Sequence, residues 1–235
     1  MHHRAPKPLW IFAYGSLMWR PDFPYEESVR ARVEGWRRGF FIYSTHHRGD
    51  AARPGLVLAL DRGGACEGLA YRVADREARA TLEYLRAREQ VNGVYREAGM
   101  IAQIEDGSGR LVPAIAYVAE RNHPSFAGTL PLAEQARLIR AACGISGPNL
   151  AYLVSTLHHL EQLGMRERNL WRLLSLAAPH LARKTDAAAL HRASRSLMRA
   201  CSCHRPIAPR MPQMQRRRFI YRKQIAQWAL ADGEQ

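Results

Sequence analysis

Between residue 9 and about residue 119, apolar residues come in short runs broken by turn formers, a texture that favours strands over helices. The runs predict strands at 9–14, 33–44, 55–60, 67–73, 94–104 and 111–118. The last two flank Asp106-Gly107-Ser108-Gly109, where glycine accepts positive φ without a Cβ clash, so they should pair as an antiparallel hairpin. One helix interrupts the β region: Asp75 is a candidate N-cap, and Ala78, Leu82 and Leu85 repeat at helical spacing through about Glu89.

Beyond Gly128 the period changes to that of helices. Thr129 can cap one running to Cys143 before Gly144, Ser146 can cap a second from Pro148 to Leu163 before Gly164, and a third runs over 167–178. Pro179 reads as the end of the series. A strand-rich first part whose apolar faces must be covered by later helices implies an α+β fold, with the sheet curled or closed into a small mixed β-barrel. The expected division is one domain over 8–180 and a basic, Pro/Arg-rich C-terminal extension over 183–235, open to disorder.

The 235 residues are 47% apolar and 24% charged, an ordinary globular composition. No stretch reaches the roughly 20 uninterrupted apolar residues of a bilayer span, and the first residues lack an apolar signal core, so a cytoplasmic protein is expected. Cys66, Cys143, Cys201 and Cys203 are scattered and read as reduced thiols. A net charge of +14 suggests a polyanion partner until it is divided along the chain, because residues 183–235 carry 12 basic and 3 acidic side chains. Most of the excess therefore belongs to the extension. Its Tyr221, Ile225 and Trp228 fall at helical spacing, which suits an RNA, an acidic membrane or the protein's own core, but no RNA-binding signature accompanies them. Weak nucleic-acid binding through 183–235 stays open; a membrane span does not.

Candidate chemistry sits in two places. Ala13-Tyr14-Gly15-Ser16-Leu17 follows an apolar strand, and a strand ending in Gly-Ser can turn successive backbone N–H groups toward a carboxylate or oxyanion. A plain surface turn is the simpler reading of that fragment alone. It lacks the flanking glycines of a nucleophile elbow, so Ser16 is not read as an attacking group. Glu89 ends the interrupting helix, where the dipole disfavours its ionised form while Arg86 and Arg88 favour it. The pairs His46-His47 and His158-His159, and the Cys201-Ser202-Cys203-His204 cluster, lack the spacing of a metal site, and no metal is expected.

In chain order, Leu9-Trp10-Ile11-Phe12-Ala13-Tyr14-Gly15-Ser16-Leu17-Met18-Trp19-Arg20-Pro21, Ser44-Thr45-His46-His47-Arg48-Gly49, Pro54-Gly55-Leu56-Val57 and Tyr84-Leu85-Arg86-Ala87-Arg88-Glu89 resemble the ChaC-type γ-glutamylcyclotransferases. Gly144-Ile145-Ser146-Gly147-Pro148-Asn149 and the helix after it are similar to the same family, so the match spans about residues 8–175. The resemblance implies a γ-glutamylcyclotransferase-like barrel with flanking helices, and cleavage of the small-molecule substrate glutathione into 5-oxoproline and cysteinylglycine without a cofactor. It implies that Glu89 is the catalytic acid–base, that Tyr14, Gly15, Ser16 and Leu17 bind the γ-glutamyl group, that Ile11, Phe12 and Ala13 line its base, and that Tyr117 is the family's strand tyrosine. Two departures stand out: Ala13 replaces a glycine, and Val91-Asn92-Gly93-Val94-Tyr95 lengthens the loop after Glu89. Another γ-glutamyl peptide or γ-glutamylamine as substrate, and a binding protein acting through its basic extension, are the competing readings.

Overall fold

A computed structural model describes residues 8–183 and 187–200. The Cys201–His204 cluster and the Tyr221, Ile225 and Trp228 stretch lie outside them. Five strands close a barrel in the order β1 (Leu9–Ala13), β3 (Gly55–Val73), β2 (Glu27–Ser44), β4 (Tyr95–Ile104), β5 (Leu111–Ala119). All neighbours are antiparallel except β1 and β5, which close the ring in parallel at Ile11 and Ile115. The mixed α+β barrel anticipated from the texture is thus present, and β4 and β5 form the expected hairpin.

The two strands predicted over 55–60 and 67–73 are one strand of 19 residues. Gly63 and Gly64 take positive φ inside it, and the register against β2 shifts between Glu34 and Trp36, around Gly35, also at positive φ. Glycines read as a turn therefore serve a bulge that bends a continuous ribbon around the barrel. On the other edge, a Cβ at Gly68 would run into the Ala13 carbonyl and the Phe12 ring, so this glycine lets β3 approach the end of β1 closely.

Both faces of the sheet are buried. Trp10, Phe12, Val33, Leu60, Ala70, Ala102, Ala116 and Val118, drawn from all five strands, fill the interior. The alternate residues Ile11 and Ala13 join an outer layer with Leu85 of α1 (Asp75–Glu89) and the C-terminal helices. Those helices are α2 (Leu132–Ala141), α3 (Asn149–Gln162), α4 (Arg168–Ala177), α5 (Pro179–Ala182) and α6 (Ala187–Ala200), with the small ribbon β6 (Cys143–Gly144) and β7 (Gly147–Pro148) before α3. The helical series continues past Pro179, which occupies the first turn of α5, where its missing N–H costs nothing. Helix α6 lays Ala189 and Leu190 into the core; the Ala187 carbonyl lies 2.8 Å from His158 Nδ1 on α3. Among the described residues, no helix is long and apolar enough to cross a membrane. Cys143 is disulfide-bonded, against the expectation of four reduced thiols, whereas buried Cys66 is free.

Candidate active site

Strand β1 ends at Ala13, and the chain turns through Gly15 into a 3₁₀ turn, Ser16–Met18. The Met18 N–H donates to the Gly15 carbonyl at 2.8 Å and the Arg20 N–H to the Ser16 carbonyl at 2.9 Å, which holds the turn compact. Behind it lies Arg38 of β2, whose guanidinium is fully buried: Nε donates to the Tyr14 carbonyl at 2.6 Å, and Nη1 meets Glu167 Oε1 at 2.6 Å. A cation that rigid and that well paired fixes where the turn begins. A Cβ built on Gly15 meets nothing within 4 Å, so packing does not demand glycine there; the space beside the turn is open.

The turn borders a cavity of about 420 Å³, within the roughly 300–1,000 Å³ of small-molecule sites. Ser16 and Glu89, 73 positions apart in sequence, both line it. Helix α1 runs over the span its periodicity predicts and delivers Glu89 at its last position. Arg88 ties the two together: it reaches Ser16 Oγ at 3.3 Å, the Arg20 carbonyl at 3.0 Å, Asp22 at 3.2 Å, the Tyr84 hydroxyl at 2.9 Å and Glu89 Oε1 at 3.1 Å.

Burial drives the Glu89 carboxyl above the ordinary glutamate value of 4.5, and Arg88 opposes part of that rise. Glu97, on the neighbouring strand, goes the other way: Arg86 grips it through Nε at 2.8 Å and Nη2 at 3.1 Å and holds its carboxyl below the usual range. Two carboxylates with environments that push their protonation apart mark Glu89 as the one suited to accept and return a proton. Around it, burial pushes the hydroxyls of Tyr14, Tyr95 and Tyr152 up, and the Glu89 charge adds to each. All three stay protonated at neutral pH.

The remaining sequence-predicted residues lie behind the cavity wall. Ile11, Phe12 and Ala13 are core residues, Leu17 is buried under the turn, and the Tyr14 hydroxyl donates to the Tyr117 carbonyl at 2.7 Å. The Tyr117 ring packs in the outer layer, its hydroxyl 3.4 Å from Glu97 Oε2, and it is not among the cavity-lining residues. Arg88, Tyr95 and Tyr152, by contrast, line the cavity although the sequence does not mark them as site residues. No local spacing links positions 88, 95 and 152, so only the closed barrel and α3 bring them together.

The family model for ChaC-like proteins matches residues 9–178. The glutathione-specific gamma-glutamylcyclotransferase of Escherichia coli (strain K12) is 38% identical over 167 residues, covering 71% of this chain and 71% of that protein. Glutathione-specific gamma-glutamylcyclotransferase 1 of Homo sapiens is 38% identical over 161 residues, covering 68% of this chain and 72% of that protein. A crystal structure of a yeast γ-glutamyl cyclotransferase specific to glutathione shares the fold, with a TM-score of 0.66 at 23% identity over 74% of this chain and 97% of that one. Together with the turn, the helix-borne glutamate and the barrel that joins them, these matches show that the chain belongs to the ChaC-like family.

Proposed function

We propose that this chain is a cytoplasmic γ-glutamylcyclotransferase that cleaves glutathione into 5-oxoproline and cysteinylglycine. The observation that carries the reading is the convergence of the Gly15-Ser16 turn and a carboxyl with raised proton affinity, Glu89, on one cavity. The names of the relatives supply the substrate; the geometry supplies a reason for the chemistry.

The substrate carries its own nucleophile. Its α-amine attacks its γ-carbonyl carbon, a five-membered lactam closes, and the amine of cysteinylglycine departs. Holding the flexible glutamyl arm bent makes a rare conformer the bound one, and such positioning contributes several kcal/mol in favourable cases, on the order of 7–11. The turn at Ser16, its start seated by Arg38, is suited to receive the α-carboxylate, with Arg88 beside it. Glu89 then takes a proton from the α-ammonium and later gives one to the departing nitrogen. A fully solvated glutamate would hold that proton too weakly; the partly dry position of Glu89 brings its affinity closer to the task. The oxyanion that forms at the γ-carbonyl calls for fixed donors, and protonated Tyr152, on the cavity wall, is the side chain best placed to serve.

Incubating the purified chain with glutathione and separating the products by mass spectrometry tests this. The expected result is 5-oxoproline and cysteinylglycine in equal amounts. Release of free glutamate would mean that water, not the α-amine, attacks, and absence of any cleavage would overturn the reading.

A further inference from the structure

The cavity is lined by two polar clusters. One is the cluster just described, Ser16, Arg88 and Glu89; the other is built by the loop after β2, Ser44-Thr45-His46-His47-Arg48, together with Ser146. This loop is rigidly made. The Arg48 N–H donates to Ser44 Oγ at 2.9 Å, and the Ile145 and Ser146 N–H groups donate to the His46 and His47 carbonyls, each at 2.9 Å. A Cβ at Gly55 would strike the Arg48 carbonyl, and one at Gly144 would strike the His47 backbone, so two glycines permit the close packing that seats the loop.

Arg48 is only 5% exposed and yet forms part of the cavity wall. Its guanidinium donates to the Ser146 carbonyl and stands over the Tyr152 ring at 5.1 Å, while His47 Nδ1 lies 3.2 Å from Ser146 Oγ. Tyr152 lines the same cavity as Glu89, so its ring joins the Arg48 cluster to the wall that the catalytic cluster shares. The wall elsewhere includes Ile42, Val57 and Val94. A desolvated guanidinium with hydroxyl and imidazole beside it is a receptor for a carboxylate. Glutathione carries its amino-acid head at one end and a glycine carboxylate at the other.

We infer that Arg48, supported by His47 and Ser146, forms a subsite for the C-terminal carboxylate of the substrate and so selects γ-glutamyl peptides that end in a carboxylate. The inference rests on the γ-glutamylcyclotransferase reading above. It divides the labour of the cavity: the turn and Glu89 act on the bond that breaks, and the β2 loop measures what leaves.

The test compares glutathione with its C-terminal carboxamide in the wild-type chain and in Arg48→Met, with His47→Ala as the gentler second variant. For a charge-assisted contact of this kind the wild type should prefer the free carboxylate by about 10- to 100-fold in kcat/KM, mostly through KM. In Arg48→Met that ratio should collapse toward one, and in His47→Ala it should fall part of the way. Equal use of both compounds by the wild type overturns the inference, as does an Arg48→Met variant that loses both activities in proportion, which is the signature of a purely structural arginine. Calorimetric binding of the two compounds to the wild type provides a readout that does not need turnover. A chain that binds glutathione above its carboxamide but cleaves neither refutes the reaction while keeping the subsite; one that cleaves both alike refutes only the subsite. Should Arg48→Met fail to fold, the wild-type ratio and His47→Ala decide.

Discussion

Glu89 carries a proton affinity that the rest of the site sets from two sides. Burial raises it and Arg88 lowers it, so removing Arg88 must raise it further. In Arg88→Gln the acid limb of kcat/KM is expected to move to higher pH than in the wild type, whatever happens to the rate. A limb that stays put or moves down would place the titrating base elsewhere. The same shift has a stability sign: a carboxyl whose proton affinity is raised on folding favours the folded state below its unfolded value and penalises it once pH climbs past the folded one. The Gly15-Ser16 turn and Glu89 were legible because each sits in a contiguous motif. From the sequence Arg88 is only a charge opposing the helix dipole, although it is the residue that joins the turn, the helix and Glu89. Tyr95 enters there only as the end of the loop after Glu89, and Tyr152 not at all, since nothing local distinguishes a cavity tyrosine from a core one.

At the scale of elements, the β4–β5 hairpin follows its local pattern and so does helix α1, except that its N-cap is Ala74 and Asp75 sits in the first turn; the long ribbon of β2 and β3 does not. Its first residues in β2, Glu27–Arg32, alternate polar and partly buried positions that look like loop from the sequence, and its paired glycines look like a turn. Both features make sense only in a strand that must coil around a closed barrel. The ribbon also holds Arg38, which a strand reading treats as one more exposed cation. Its side chain is 0% exposed and joins the Tyr14 carbonyl, the Glu67 carbonyl and Glu167. Replacing it by methionine strands those acceptors, and Arg38→Met is expected to lower unfolding stability by about 3 kcal/mol in urea titrations. A loss below about 1 kcal/mol would show that the turn does not depend on this tether.

At the scale of the whole molecule, the helical layer continues beyond the segment that matches the family. The family match ends at residue 178, but α6 continues the helical layer, with Leu190 completely buried and Ser194 Oγ 3.3 Å from the Ala151 carbonyl. We propose that the catalytic unit extends at least through residue 200. A chain ending at 183 should melt several degrees lower than one ending at 200, because Ala189 and Leu190 leave the core. Equal melting temperatures for the two would show that α6 adds nothing to the folded unit. Composition could not place α6 in the domain, because its arginines look like those of the basic extension, while its apolar residues Ala189 and Leu190 reach the core.

The central claim is that one carboxyl ferries protons for a substrate that cyclises on itself, and Glu89→Gln tests it most directly. At neutral pH this change removes a charge that burial disfavours, so the variant should unfold at or above the wild-type temperature and still bind glutathione in calorimetry. Its turnover to 5-oxoproline should fall by roughly 10²–10⁴-fold or more. A folded, glutathione-binding Glu89→Gln chain that cyclises its substrate at a rate near wild type would contradict the account.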